Sequence, residues 1–151
     1  MKTVTGIGHV ALNVGDIDTM LAFYRDTLDF PEMFRMHQDG HLWIVYLRMT
    51  DTQFIEMFPD GTGAVPDRKN LGLVHVSWDV DDIEAAIAEL AGRGVPLTTP
   101  LRKGRSGNLQ AWITDPEGNR IELMQTMPDS YQARAIAHLR DGDGSPLPVH
   151  D

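Results

Sequence analysis

The sequence predicts an α+β fold built from two βαβββ modules, eight strands in all, and three observations carry that prediction. The first is a gapless match of the chain to itself at an offset of 66 residues, which sets Gly6 on Gly72, His9 on His75, Val10 on Val76, Val14 on Val80 and Asp16-Ile17 on Asp82-Ile83. The same register still holds much further along, where Ile55-Glu56 falls on Ile121-Glu122. The second is that each copy opens with an alternating apolar pattern and passes through an Asp-rich cap into an amphipathic helix. The third is that each copy closes with three short β-rich runs separated by turn residues. The modules lie at about 6–58 and 72–124.

The elements follow in order. "GIGHVALNV" (6–14) and the stretch 71–80 read as the opening strands, with residues two apart sharing a face. "GDID" supplies an N-cap for a first helix, "IDTMLAFYRDTL", whose Ile17, Met20, Leu21, Tyr24 and Leu28 fall on one side. "DVDD" does the same for "IEAAIAEL", which the glycines of "AGRG" end. Strands are expected near 32–37, 41–49 and 53–58, and again near 95–102, 109–114 and 120–125. "QDG" and "DPEGN" are the hairpin turns, and "PDGTGAVPDRKNL" is the linker. After residue 126 a tail outside the repeat begins. Its "PDSYQARAIAHLR" reads as a capped short helix and its "DGDGSPLPVHD" as an extended end.

Composition excludes several classes of function. A net charge of −9 without a block of Lys and Arg argues against nucleic acid and anionic membrane as partners. The absence of cysteine removes disulfides, thiolate chemistry and zinc–thiolate sites. No apolar signal core or membrane-length run is present, so a cytoplasmic location is the expectation.

Alternation then isolates four side chains. Val10, Leu12 and Val14 oppose His9, and Val76, Trp78 and Val80 oppose His75; the apolar sets need the helix layer, so both histidines belong on the other face. Ile55 and Met57 flank Glu56 while Ile121 and Leu123 flank Glu122, so the glutamates also point away from the helices. The separation from His9 to Glu56 and from His75 to Glu122 is 47 residues in both copies. A histidine alone in a strand is more often a hydrogen-bonded core residue. Retention of just this pair in both copies favours a ligand set. If the modules pair about a pseudo-twofold axis, two imidazoles and two carboxylates converge. A divalent first-row ion would offset the cost of adjacent buried carboxylates and leave positions open for substrate. His37 and His41 straddle a turn and read as surface residues, and His138 and His150 lie in the tail.

"GHVALNV", "LAFYRDTLDF", "LVHVSWDV" and "DPEGNRIELMQ", in this order, resemble the vicinal oxygen chelate superfamily of glyoxalases, bleomycin-resistance proteins and dioxygenases. The resemblance covers about residues 4–126 and leaves 127–151 unmatched. It implies that the eight strands form a half-barrel, that the chain is a homodimer, and that His9, Glu56, His75 and Glu122 hold one divalent ion (Ni, Co, Mn or Zn). This His-Glu-His-Glu set is similar to that of glyoxalase I (lactoylglutathione lyase). Extradiol dioxygenases and fosfomycin-resistance enzymes generally use two His and one Glu, methylmalonyl-CoA epimerases typically place Gln where Glu56 stands, and bleomycin-binding members lack the ligands.

The implied activity is that of a lyase or isomerase working through an enediolate of a 2-oxoaldehyde-derived or related small substrate. Glu122 would be the catalytic base and Glu56 its partner. Phe54, Phe58 and Met124 share the ligand face and would line the substrate pocket, unless they only fill the barrel. Arg120 would meet an anionic group or pair with Asp115 or Glu117. The glutathione contacts fit less well. Asp26 stands where Arg or Lys is usual, Asp60 where Asn is usual and Asn108 where Lys is usual, although Arg25, Arg102, Lys103 and Arg105 are close in sequence. The metal chemistry transfers; the thiol substrate does not. An epimerase or racemase of a 2-oxo or acyl-thioester substrate, and a protein that sequesters small molecules on the same fold, stay open as alternatives.

Overall fold

A computed structural model describes residues 3–67, 69, 71–141 and 145–148, so His150 and most of the end expected to be extended lie outside it. It divides into two compact units. The first comprises Met1–Pro66 with Asp115–Asn119, the second Asp67–Thr114 with Arg120–Asp151.

In the first unit β1 (His9–Asn13), β2 (Glu32–Gln38), β3 (His41–Arg48) and β4 (Phe54–Phe58) form a mixed sheet in the order β1-β4-β3-β2. β1 runs parallel to β4 and the other pairs are antiparallel. In the second unit β5 (Val76–Asp79), β6 (Thr99–Lys103), β7 (Leu109–Thr114) and β8 (Arg120–Gln125) repeat the same order and the same senses. The α+β class and the four-strand pattern of each copy are as the sequence predicts.

Strand bounds differ where pairing partners run out. The opening strands are shorter than 6–14 and 71–80, because their ladders start at His9↔Phe54 and Val76↔Ile121. Gly72, at φ 133, also breaks the extended run before β5, and His75 therefore precedes the strand. The strand expected from 95 begins only at Thr99, since the Val95 amide donates to Leu90 O at the end of the helix (2.9 Å). Pro100 is tolerated because β6 is an edge strand with an irregular register.

The helices form where their caps are. Asp16 has extended dihedrals and its carboxylate accepts from Thr19 N (3.0 Å) and from the Thr19 hydroxyl (2.7 Å); these bonds hold its pKa below the usual carboxylate value. The continuous helix expected over 17–28 is instead α1 (Ile17–Leu21) followed by a π-helical turn, Ala22–Thr27. Thr27 is the local cause: its hydroxyl donates to Ala22 O (2.9 Å), and Leu28 N reaches back five residues to Phe23 O (2.9 Å). Asp29, at φ 62, ends the segment in the left-handed region. In the second unit Asp82 caps α2 (Ile83–Gly92) by accepting from Ala85 N (3.0 Å), and Gly94 at φ 75 ends it. Among the described residues no helix is long and apolar enough to cross a membrane.

Each sheet buries one apolar face. Val14, Met20, Leu21, Val45, Leu47, Ile55 and Met57 form the core of the first unit, and Ile83, Leu90, Ala111, Ile113, Ile121 and Leu123 that of the second. Tyr24 is buried in the π turn and donates to Asp115 Oδ2 (3.0 Å); burial and the adjacent carboxylate push its phenol pKa well up. Glu117 Oε1 accepts from the amides of Gly15 (2.7 Å) and Asp16 (2.9 Å). The turn 115–119 is thus part of the first unit, although β7 and β8 on either side of it belong to the second.

Close packing makes Gly61 obligatory. A Cβ there would stand 3.0 Å from backbone atoms of Asn13 and Val14, which cannot turn aside, while its amide donates to Val14 O (3.0 Å). Gly61→Ala should cost about 1–3 kcal/mol in urea unfolding, the usual range for overpacking. Gly40→Ala is a comparison with open space around it and only its φ of 80 to oppose it.

The tail is anchored by the residue that stands where Lys is usual for a glutathione contact. Asn108 is fully buried; its amide donates to Gln132 Oε1 and its Oδ1 accepts from Met127 N (3.1 Å). Tyr131 N donates to Ser106 O (2.8 Å), and Ser130 accepts from Ala133 N (3.2 Å) at the start of α3 (Tyr131–Asp141). These bonds dock the C-terminal helix on the β6–β7 turn.

Candidate metal centre

The sheets set the four histidines and glutamates of interest in two pairs. In the first unit register places Ala11, Glu56, Tyr46 and Phe34 in one row across β1, β4, β3 and β2. His9 is two residues from Ala11, on the same face, and its Nδ1 lies 3.5 Å from Glu56 Oε1. In the second unit Ser77, Glu122 and Trp112 form the equivalent row, and His75 Nε2 lies 3.1 Å from Glu122 Oε2. Glu56 is 7% exposed and Glu122 5%. The flanking residues explain this: Ile55 and Met57, Ile121 and Leu123 are core, which drags the glutamate between each pair into the sheet.

Carboxylates so buried need partners. In the first unit Tyr46 stands across from Glu56 on β3, and that carboxylate, together with burial, raises the tyrosine pKa. In the second unit Glu122 Oε1 and His75 Nδ1 are buried with no hydrogen-bond partner among the described residues. Orphaned imidazole nitrogen and carboxylate oxygen are the donor atoms a borderline divalent ion takes, so the chemistry of these residues fits such an ion. Among the described residues no group of three or more His, Asp or Glu stands close enough to hold a metal by itself. Each unit holds one His–Glu pair.

Phe54 and Phe58 share the Glu56 face of β4, and Arg120 and Met124 share the Glu122 face of β8; all four are half-buried. Phe58 meets Trp43 edge-on at 6.3 Å between ring centroids. Met124 Sδ accepts from Asn108 Nδ2 (3.5 Å). Arg120 corrects an expectation. Its guanidinium lies 4.4 Å over the Trp112 ring rather than in an ion pair with Asp115 or Glu117. Both acids are engaged elsewhere: Asp115 accepts from Tyr24 and Asn119, Glu117 from Gly15 and Asp16.

The positions that would meet glutathione are also engaged. Arg25 is held by Asp26 (2.7 Å) and Glu32 (3.2 Å), Asp60 sits in a left-handed turn at φ 67, and Asn108 is buried against the tail. His37 and His41 are exposed on the β2–β3 hairpin, where Asp39 (φ 52) and Gly40 (φ 80) make the two-residue turn. A separate cleft of about 540 Å³ in the first unit is lined by residues 61–66 with Asn13, Gly15, Asp16, Glu117 and Asn119; none of the histidines or glutamates proposed as ligands lines it.

Tyr46 and Trp112 were missed from the sequence. The signal for them was present: the 66-residue offset relates 46 to 112, and each stands ten residues before its glutamate across a hairpin.

Comparison with known proteins agrees with this architecture. The profile of the Glyoxalase/Bleomycin resistance protein/Dioxygenase superfamily matches residues 6–123. A probable lactoylglutathione lyase of Synechocystis is 27% identical, over 78% of this chain and 93% of its own. The mitochondrial methylmalonyl-CoA epimerase of mouse is 28% identical, over 79% of this chain and 72% of its own. The crystal structure of a glyoxalase family protein from Enterococcus faecalis superposes with a TM-score of 0.71 at 30% identity, covering 82% of this chain and 99% of that one.

Proposed function

We propose, from the premise that this chain belongs to the glyoxalase/bleomycin resistance protein/dioxygenase superfamily, that it is a divalent-metal-dependent lyase or isomerase of the glyoxalase I kind. One observation carries the reading: the same His–Glu pair is built twice, on matching strands, with both carboxylates buried. His9, Glu56, His75 and Glu122 would hold the ion. When bound, such an ion supplies a Lewis acid that polarises adjacent oxygens of a 2-oxoaldehyde adduct or related hydroxycarbonyl and acidifies the neighbouring C–H.

Glu122 takes that proton and returns it to the next carbon; its Oε1, without a hydrogen-bond partner in the sheet, is the oxygen available for the transfer. Glu56 is its counterpart on the repeat-related strand. Phe54, Phe58 and Met124 offer apolar surface to the carbon skeleton, and the charge of Arg120, spread over Trp112, favours an anionic substituent. The engaged state of Arg25 and Asn108 supports a substrate other than a glutathione adduct. The 28% identity to a methylmalonyl-CoA epimerase keeps epimerisation of an acyl thioester as a second reading, since it uses the same proton abstraction beside a carbonyl.

Turnover of a panel of 2-oxoaldehydes with different thiols, beside methylmalonyl-CoA, after loading with Ni, Co, Mn or Zn separates these readings. Tight binding of a small molecule without turnover of any would replace both by a sequestering role. The same proposal includes a homodimer. β2 is an edge strand that leaves Met33, Phe34 and Met36 exposed, and a long apolar edge needs cover. Sedimentation at micromolar concentration should give about twice the 16.8 kDa chain mass. A monomer there would remove this part of the proposal.

A further inference from the structure

Each glutamate of the two pairs has a neighbour two residues ahead of it, on its own strand and on the same face: Phe54 before Glu56, Arg120 before Glu122. The 66-residue offset relates these two neighbours, so one copy of the module sets an apolar ring where the other sets a permanent cation. Both are half-buried. Phe54 fills its place without charge, whereas a guanidinium drawn partly out of water costs free energy unless an anion meets it. Among the described residues no ion pair includes Arg120. Asp115 and Glu117, the nearest acids in sequence, accept from Tyr24, Asn119 and the amides of Gly15 and Asp16. What holds Arg120 is Trp112, diagonal to it across the β7–β8 ladder, with the guanidinium carbon 4.4 Å from the ring centroid. That ring is in turn fixed edge-on against His75, at 4.8 Å between centroids.

We infer that Arg120, laid on the Trp112 ring, is a specificity-determining residue of the second unit that grips a carboxylate, so that the substrate class is a carbon acid carrying a carboxylate close to the C–H that Glu122 attacks. The inference rests on the reading of Glu122 as base. The indole occupies one side of the guanidinium, while the N–H donors lie in its plane and form a fork matched to the two oxygens of a carboxylate. Two residues of strand span roughly 6–7 Å. A carboxylate on Arg120 and a C–H at Glu122 therefore belong to one small molecule and stand only a few carbons apart. The chain's net charge of −9 offers an anionic ligand no long-range attraction, so a local cation has to select it. A single fork balances one negative charge, which is that of a carboxylate and not of a phosphate dianion.

Proton NMR titration of the full chain, with zinc added, tests this with three probes. The first is 4-oxopentanoate, in which one methylene separates the acidic carbon beside the ketone from the carboxylate. The second is 4-oxopentanamide, of the same shape without the charge, and the third is hydroxyacetone phosphate. Exchange of the acidic C–H in deuterium oxide is followed on the same samples and reads proton abstraction separately from binding. The wild-type chain should bind the acid about tenfold more tightly than the amide, the usual weight of a hydrogen bond to a charged group. Arg120→Gln and Arg120→Phe, the second copying the residue of the first sheet, should bring that ratio to about one. Because the ratio is taken within each variant, a partly unfolded preparation cannot imitate the result. A ratio near one in the wild type, or a preference that survives in both variants, would overturn the inference; C–H exchange that Glu122→Gln abolishes would then leave the base reading standing. Tighter binding of hydroxyacetone phosphate than of the acid, lost with Arg120, would overturn the carboxylate assignment in favour of a phosphate ester. A preference for the acid that depends on Arg120, with no exchange in any probe, would support the anchor and overturn the reading of Glu122 as its base.

Discussion

Replacing Glu122 by Gln should lower turnover by ~10²-fold or more while most of the bound metal is retained. The substitution keeps an oxygen able to ligate and nearly the same side-chain volume. It removes the negative charge and the capacity to accept a proton. Among the described residues Glu122 Oε1 has no hydrogen-bond partner and Oε2 faces His75, which an amide oxygen can still meet, so the loss reports on chemistry rather than on folding. Glu56→Gln is the matched control on the repeat-related strand. Its effect should be the smaller for a substrate with one reacting face, and similar if both glutamates exchange protons. Steady-state rates and metal analysis on the same preparations check both statements. A Glu122→Gln protein that is metal-loaded and fully active would remove Glu122 as the base.

His9→Ala or His75→Ala should each abolish the ion, from about one per chain after gentle purification to none at micromolar protein. Each change deletes a ligand from the proposed set, in which each unit supplies one imidazole and one carboxylate, and a single His–Glu pair offers too few donors to retain an ion at this concentration. His41→Ala, on the exposed hairpin, is the control and should keep full occupancy. Elemental analysis reads the result directly. Full metal retention in both ligand variants would remove the basis for reading this chain as a metalloenzyme.

These predictions use residues that are legible in the sequence itself. Alternation within strands, applied to both copies, is enough to separate His9 and Glu56 from Val10, Ile55 and Met57, because a sheet with one buried face leaves no other arrangement. The strand order is equally legible, since hairpin turns such as Asp39-Gly40 force antiparallel neighbours. What escaped was set by side-chain hydrogen bonds that no periodicity records. The π turn depends on the Thr27 hydroxyl competing for a backbone carbonyl, and a propensity pattern cannot distinguish that from an ordinary helix. Asn108 looked like a missing lysine and proved to be the anchor of the tail, visible only once Met127 and Gln132 are seen to converge on it. Arg120 reads as the partner of an acid because acids are its neighbours in sequence, whereas the ring of Trp112, on the adjoining strand β7, is its neighbour in space.

The turn from Asp115 to Asn119 bears on how such a chain can change over evolutionary time. Recombination at the linker is the direct way to exchange one copy of the repeat for another, because the repeat itself ends there. Yet an exchanged second copy brings its own turn, and with it the acceptor for a tyrosine encoded in the first. A hybrid lacking Asp115 would deprive the buried Tyr24 hydroxyl of its charged acceptor, at about 1.5–3 kcal/mol, a large share of a small domain's stability. The duplication therefore stopped being freely divisible once that bond formed. From then on Tyr24 and Asp115 constrain one another's inheritance although 91 positions separate them.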